Sequence, residues 1–149
     1  MLDTDFVKAE TVKAYFLSSE VKKKLLFKSD VIDVRSVSGG LANFVYRLFF
    51  ADKTTAVLKY YTTHLAAESE VKLSPHRYFV ERRALELIGK EECLKECRLS
   101  TPKVLFYDDD VYYFIMEDCG ENLVTLSYFL KSDYKLPESM AKKHEGDEE

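Results

Sequence analysis

The chain lacks any apolar run approaching the length of a membrane span, and it has no charged start leading into an apolar stretch of signal-peptide length. Its expected compartment is therefore cytoplasmic, with no membrane partner. Cysteine is scarce: Cys93, Cys97 and Cys119 make an odd count of 3 in 149 residues, so reduced thiols are expected instead of a disulfide framework. Cys93 and Cys97 could share a helix face at four-residue spacing, but no neighbouring Cys or His completes a zinc set. His64, His76 and His144 are scattered without ligand spacing, so no metal site is read. An excess of positive charge is also missing. Lys and Arg number 22 against 26 Asp and Glu, and the single basic run, Lys22-Lys23-Lys24, reads as a solvated helix face. That balance argues against a nucleic-acid partner, whose phosphates call for clustered basic side chains. With 46% hydrophobic and 32% charged residues, the composition is that of one soluble globular domain, neither disordered nor collagenous.

What is present centres on residues 38 to 59. Ser38-Gly39-Gly40-Leu41-Ala42-Asn43 places two glycines after a β-branched run, and Phe44–Phe50 and Thr55–Tyr61 follow as hairpin arms around Ala51-Asp52-Lys53-Thr54. Glycine lets a backbone approach a ligand closely, and successive N–H groups in such a loop can cradle phosphate oxygens; a bare tight turn is the plainer alternative. Upstream, Thr4 can cap a helix whose apolar positions Phe6, Val7, Ala9, Val12, Phe16 and Leu17 recur at helical spacing. Ser18 or Ser19 can cap a short second helix to Leu26, both packing outside a sheet. Val31–Val37 reads as a strand with Val31, Asp33, Arg35 and Val37 on one side and Ile32, Val34 and Ser36 on the other.

After a polar connection from Thr62 to Leu73, Ser74-Pro75 signals a helix start and Gly89 a stop, predicting a helix from Pro75 to about Ile88. Its expected apolar arc holds Tyr78, Val80, Ala84, Leu85, Leu87 and Ile88, with Glu81 in the middle. A carboxylate aimed at a core is costly unless paired. Lys59 is out of pattern in the same way, at the end of Ala56-Val57-Leu58. Opposite charge in consecutive elements favours a Lys59–Glu81 pair; the alternative is that each reaches water on its own, Lys59 by its long stem. Val104–Tyr107 and Val111–Met116 read as a further hairpin, with Asp108-Asp109-Asp110 as a solvated turn and not a metal cluster.

A strand lysine behind a glycine loop, held by a glutamate on the next helix, is the nucleotide-binding arrangement of the kinase fold. From Val37 through the loop to Arg47, then Ala56-Val57-Leu58-Lys59, Arg77 through Glu81 to Leu85, Pro102–Tyr107 and Ile115–Asp118, the chain resembles the N-terminal lobe of the aminoglycoside phosphotransferase and choline kinase-like superfamily. Within it, it looks most like 5-methylthioribose kinase-type sequences, which share a glycine pair before Asn-Phe-Val-Tyr-Arg and a Glu-Ser pair, here Glu68-Ser69; the resemblance covers about Val31 to Leu130. It implies ATP as cofactor. Ser38, Gly39, Gly40, Leu41, Ala42 and Asn43 match the phosphate-covering loop, Lys59 the phosphate lysine and Glu81 its helix partner. Met116, Glu117, Asp118 and Cys119 match the end of the hinge strand and the hinge beside the adenine edge.

The family's catalytic base lies in a His-x-Asp loop and its magnesium ligands in a later Asp motif, and neither occurs in these 149 residues; His144 has no aspartate two positions on. The fold expected is α+β: a kinase-like N-terminal lobe with a five-stranded, mostly antiparallel sheet, one packed helix and N-terminal helices. Residues 1–30 would be those helices, 31–119 the nucleotide-binding lobe, and 120–149 the start of a second lobe plus a charged tail. The function expected is the ATP-binding half of a small-molecule kinase, truncated before the catalytic loop and inactive alone, with a sugar or amino-alcohol acceptor bound only once a second lobe is supplied. The alternative is a non-catalytic module derived from such a kinase, and an intact protein-kinase lobe fits less well because the loop has no third glycine. Leu123, Leu126, Phe129 and Leu130 at the seam predict self-association.

Overall fold

The computed structural model describes residues 5–18, 29–37, 40–91 and 100–120. The helix read from Ser18 or Ser19 to Leu26, the loop residues Ser38 and Gly39, Cys93, Cys97 and everything after Gly120, including the seam residues and His144, lie outside them. The chain divides after Asp118 into two compact units.

The first unit, Met1–Asp118, holds α1 (Ala9–Leu17), β1 (Val31–Ser36), β2 (Phe44–Phe50), β3 (Thr55–Tyr60), α2 (Arg77–Ile88), β4 (Val104–Asp108) and β5 (Tyr113–Glu117). This is an α+β arrangement whose five strands form one sheet in the order β1-β2-β3-β5-β4, every neighbouring pair being antiparallel. The registers Tyr46↔Leu58 and Leu58↔Ile115 set these three side chains on one face. Val45↔Lys59 and Lys59↔Phe114 set theirs on the other.

The first face is the main core. Val12, Tyr15 and Phe16 of α1, at helical spacing, close over Val34, Tyr46, Leu48, Ala56, Leu58, Tyr113 and Ile115. Phe6, fully buried, joins them from the turn before the helix, with its ring edge-on to Tyr15 at 4.9 Å and 5.4 Å from Tyr113. Each such large apolar side chain contributes roughly 1.5–3 kcal/mol by leaving water. The helix starts later than the sequence pattern suggests: Lys8 is its N-cap and makes no side-chain cap bond, while Thr4 is outside the described residues. Phe6 is spent on the core ahead of the helix, and its carbonyl accepts the Tyr46 hydroxyl at 2.7 Å. Burial first, then the nearby Glu10 and Asp5 carboxylates, pushes the Tyr46 phenol up to about 12.

β1 departs from simple alternation. A bulge between Val31 and Asp33 lets Val31 and Val34 both face the core while Ile32 is 55% exposed. One inserted residue shifts every later side chain by one face. Asp33, expected beside Val31, pairs instead with Lys13 of α1 at 3.2 Å and with Arg35 at 3.1 Å.

α2 covers part of the second face through Tyr78, which is buried with Tyr61 and Phe114 against Phe79, Leu85, Val104, Tyr112 and Met116. Its arc is rotated from the expected one: Val80 is 73% exposed, and Leu87 and Ile88 are also exposed. The inward side is Tyr78, Glu81, Arg82 and Leu85, so charged side chains with partners, not further aliphatics, fill the contact. The helix begins at Arg77, not Pro75, because Ser74 takes the His76 N–H at 3.3 Å on its side-chain oxygen and forms a turn ahead of it. Gly89 ends the helix in a right-handed conformation, its N–H going to the Leu85 carbonyl at 3.0 Å.

The turn between β4 and β5 runs through Tyr112, whose φ is 59°, so β5 begins two residues later than Val111. Asp108 receives the N–H groups of Asp110 and Val111 at 3.0 and 3.2 Å, the hydrogen-bonding that makes aspartate a turn residue. Asp109 is exposed in the turn, as expected, but it also has partners. It accepts the Tyr78 hydroxyl at 2.7 Å and lies 3.7 Å from Arg82 of α2. Among the described residues no group of three His, Cys, Asp or Glu stands together that could hold a metal ion, and no helix is long and apolar enough to cross a membrane.

Candidate functional site

On β3 Ala56 and Leu58, facing α1, are buried, whereas Thr55, Val57 and Lys59 on the opposite face are only half-buried. Neighbouring strands repeat the contrast: Val45 and Arg47 on β2 and Met116 on β5 are half-buried too. The second face is thus closed by α2 at the Tyr61–Phe114 end and left as a half-open floor of Val45, Val57 and Met116 elsewhere. A charged side chain stands at each end of that floor.

At one end is Lys59. Its ammonium donates to Oε1 of Glu81 on α2. The other carboxylate oxygen, Oε2, accepts the Tyr61 hydroxyl at 2.5 Å. One residue separates Tyr61 from Lys59, so both project from the same side of the chain, and the Tyr61 ring lies under the Lys59 ammonium at 5.8 Å and under the Arg77 guanidinium at 5.5 Å. The exposures of 21% for the Lys59 side chain and 39% for Glu81 place the pair at the border of the floor, neither sealed in the core nor free in water. Burial, then the hydrogen bond to Glu81, raises the Tyr61 phenol well above its usual range, so it stays a donor at any ordinary pH.

Arg77 connects this pair to the loop. Standing one helical turn before Glu81, it donates to the Ala42 carbonyl at 2.7 Å and to the Asn43 side-chain oxygen at 2.7 and 3.1 Å, with a further bond to the Ser74 carbonyl at 3.2 Å. The loop is closed below by the Val37 N–H to the Val45 carbonyl at 2.9 Å and braced from outside by the Ala67 N–H to the Leu41 carbonyl at 3.1 Å. That brace comes from residues 62–73, which form a small ribbon instead of a plain polar connection: His64 bridges Lys72, and the Leu73 N–H reaches the Thr63 carbonyl at 2.8 Å. A side-chain carbon at Gly40 would stand 3.0 Å from the Asn43 carbonyl, so a larger residue there requires that carbonyl to give by a few tenths of an ångström. Among the described residues no backbone carbonyl receives the N–H groups of Gly40, Leu41, Ala42 or Asn43. Successive backbone N–H groups beside a lysine are the chemistry of an anion cradle.

At the other end Arg47 of β2 meets Asp118, just beyond β5. The Arg47 Nε lies 2.6 Å from Asp118 Oδ2 and its NH2 group donates to Oδ1 at 3.1 Å, an ion pair with one hydrogen bond and side-chain exposures of 16% and 5%. Of the residues matched to the hinge, Met116 belongs to the floor, and the Glu117 N–H is spent on the Lys103 carbonyl at 2.9 Å. Glu117 also accepts the Lys103 N–H on its side chain at 3.1 Å, and Cys119 is an exposed free thiol. Lys59, Glu81, Ala42 and Asn43 are therefore gathered around α2, with Met116 and Asp118 along the floor from them, while Gly40 and Leu41 continue the loop on the Ala67 side. Leu41 itself points outward at 71% exposure.

Sequence reasoning missed Tyr61, Arg77 and Arg47 as members of this site. A tyrosine raises no alarm in an aromatic core. Arg77 and Glu81, four residues apart on one helix face, were a usable signal, and so was Arg47 as the one charge in β2. Two cavities lie elsewhere: one of about 380 Å³ is lined by Asp5, Tyr60, His64, Pro75 and Val111 among others, and one of about 280 Å³ by Ser29, Phe50, Asp52 and Leu105 among others. Lys59 lines neither of these two. Compared with protein-family models and with curated proteins, the chain matches none.

Proposed function

We propose that this chain is the ATP-binding lobe of a small-molecule kinase of the aminoglycoside phosphotransferase and choline kinase-like kind. The observation that carries the reading is Lys59, held by Glu81 at the edge of a half-open apolar floor and on the strand that pairs with the one following the Gly40–Asn43 loop. Lys59 supplies the point charge for the α- and β-phosphates, and Glu81 with Tyr61 keeps its long stem from wandering. Arg77 fixes the loop edge from which the N–H groups of residues 40–43 point at phosphate oxygens. The base lies along Val57 and Met116 toward Glu117 and Asp118. Magnesium, when it accompanies ATP, neutralises phosphate charge; its carboxylates, the catalytic base and the acceptor site belong to a second lobe. The acceptor class is an alcohol of a sugar or amino alcohol.

Titration calorimetry with ATP, paired with a radiolabel transfer assay over methylthioribose, choline and an aminoglycoside, tests both halves. Weak ATP binding abolished by Lys59→Ala is expected, with no transfer by the 149-residue chain. Robust transfer by this chain alone, or ATP binding indifferent to Lys59→Ala, would overturn the reading.

A further inference from the structure

We infer that Arg77 is a positioning residue that sets the side-chain amide of Asn43 as a phosphate donor, so that the loop contributes a side-chain NH2 group as well as its backbone. The inference rests on the nucleotide reading and adds to it a donor and the residue that orients it. Arg77 donates to the Asn43 Oδ1 from Nε at 3.1 Å and from Nη2 at 2.7 Å, and among the described residues both side-chain bonds of Asn43 fall on that oxygen. A guanidinium carries donors only, so the amide must meet it oxygen first. With the oxygen taken twice, the amide presents the two N–H bonds of Nδ2 on its other edge. The same guanidinium reaches the Ala42 carbonyl at 2.7 Å, which steadies the backbone carrying Asn43. The amide is thereby oriented before a ligand arrives, which lowers the cost of ordering it on binding.

Placement and charge point to an anion as the acceptor. Arg77 and Glu81 stand one turn apart on α2; the first holds Asn43 and the second holds Lys59. Val45, opposite Lys59 in the sheet, lies two residues after Asn43, a step of about 7 Å along an extended chain. A triphosphate can bridge such a step, with Lys59 on one phosphate and Asn43 on another. The four bonds of the Arg77 guanidinium all end on neutral oxygens, those of Ala42, Asn43 and Ser74. Lys59 and Arg77 are thus two cations against the one carboxylate of Glu81. An aspartate at position 43 would serve Arg77 better, since a carboxylate offers its fork two charged oxygens. Asparagine forgoes that attraction and supplies two N–H bonds in its stead. Bracing the loop does not need them, whereas a bound anion does, and an aspartate there would repel it.

The test follows the Asn43 side-chain NH2 signals by NMR in the isotope-labelled full chain, assigned by their absence from the spectrum of Asn43→Ala. Inorganic tripolyphosphate, which carries phosphates without a base, should shift them with the saturation curve of its binding. Adenosine, which carries the base without phosphates, should leave them in place. Asn43→Asp keeps an acceptor for Arg77 but loses the donor; it should unfold no earlier than wild type yet bind tripolyphosphate at least about tenfold more weakly, the scale of one hydrogen bond to a charged group. Asn43→Ala, which adds no charge, should also lose about tenfold, and circular dichroism confirms the fold of each variant. Arg77→Lys keeps the cation but not the fork; it should weaken binding in wild type and add little in the Asn43→Ala background. If the Asn43 signals stay still while Lys59→Ala abolishes tripolyphosphate binding, or if the folded Asn43 variants bind like wild type, the donor is overturned and the phosphate site stands. If wild type binds no tripolyphosphate, or if Lys59→Ala leaves its binding intact, the nucleotide reading itself fails and this inference with it.

Discussion

Replacing Glu81 by alanine removes two hydrogen bonds at once, and their separate worth depends on the surroundings of each partner. Tyr61 is 1% exposed, so losing its acceptor leaves a buried donor unpaired, at a cost of about 1–3 kcal/mol. Lys59 and Glu81 keep 21% and 39% of their side chains exposed, so their attraction is screened and adds up to about 1 kcal/mol. Glu81→Ala should therefore cost roughly 2–3 kcal/mol, short of the roughly 3–5 expected for breaking a fully buried pair. The larger share should run through Tyr61, not through Lys59. Urea unfolding of Glu81→Ala, Tyr61→Phe, Lys59→Met and the two double variants resolves the shares as coupling energies. In the Tyr61→Phe background, Glu81→Ala should cost only about 1 kcal/mol, and Glu81→Gln, which keeps an acceptor for the phenol, about as little in wild type. Equal cost of Glu81→Ala with and without the Tyr61 hydroxyl would refute this division. A Lys59–Glu81 coupling within the ~0.3 kcal/mol at which independent sites add would remove the pair as an energetic unit.

Arg77→Ala should loosen the loop without unfolding the sheet, seen as faster amide exchange at residues 40–43 and a loss of about 1–2 kcal/mol in unfolding free energy, because the Ala42 and Asn43 acceptors are half-exposed. Alkaline titration should destabilise the fold. The Tyr46 phenol sits at about 12 against an ordinary 10.0, so its contribution is complete below pH 10, declines above it and is gone by about 12, and Tyr46→Phe should flatten that part of the stability profile. On the acid side, the hydrogen bond from Lys13, then that from Arg35, holds Asp33 below its usual 3.8. Its contribution is present above that value and fades as pH falls through the lowered one, a loss that Asp33→Asn should abolish in acid unfolding curves. Asp109→Ala strands the buried Tyr78 hydroxyl and should cost about 1–2 kcal/mol in thermal or urea unfolding, where a free turn acid would cost nothing measurable.

The sheet was legible because its strands declare themselves. Phe44–Phe50, Thr55–Tyr60 and Val104–Asp108 are β-branched and aromatic runs between turn residues, and the structure moves their ends by no more than a residue. Lys59 and Glu81 were legible as a pair because each violates its local pattern and their charges are opposite. By the same rule Arg47 should have been found, since it violates the pattern of β2; its partner was hidden because Asp118 lies 71 residues away and follows a strand instead of interrupting one. Tyr61 could not be found so. A phenol fits an apolar core, and only the position of its oxygen shows that it serves Glu81. The arc of α2 was misplaced because a helical wheel ranks faces by composition, and here the composition favoured Val80, Leu87 and Ile88 while the contact went to side chains with partners. In β1, alternation alone cannot reveal the bulge that turns Val34 inward.

Arg77 and Glu81 give α2 a mechanical character. One residue grips the loop ahead of β2 and the other grips the lysine at the end of β3, and both handles are mounted on a single rod one turn apart. The loop and the lysine thereby share one degree of freedom: rotating the rod to draw Glu81 away from Lys59 swings Arg77 off Ala42 and Asn43 in the same stroke. Val80 stands 73% exposed on the outer side of the same rod.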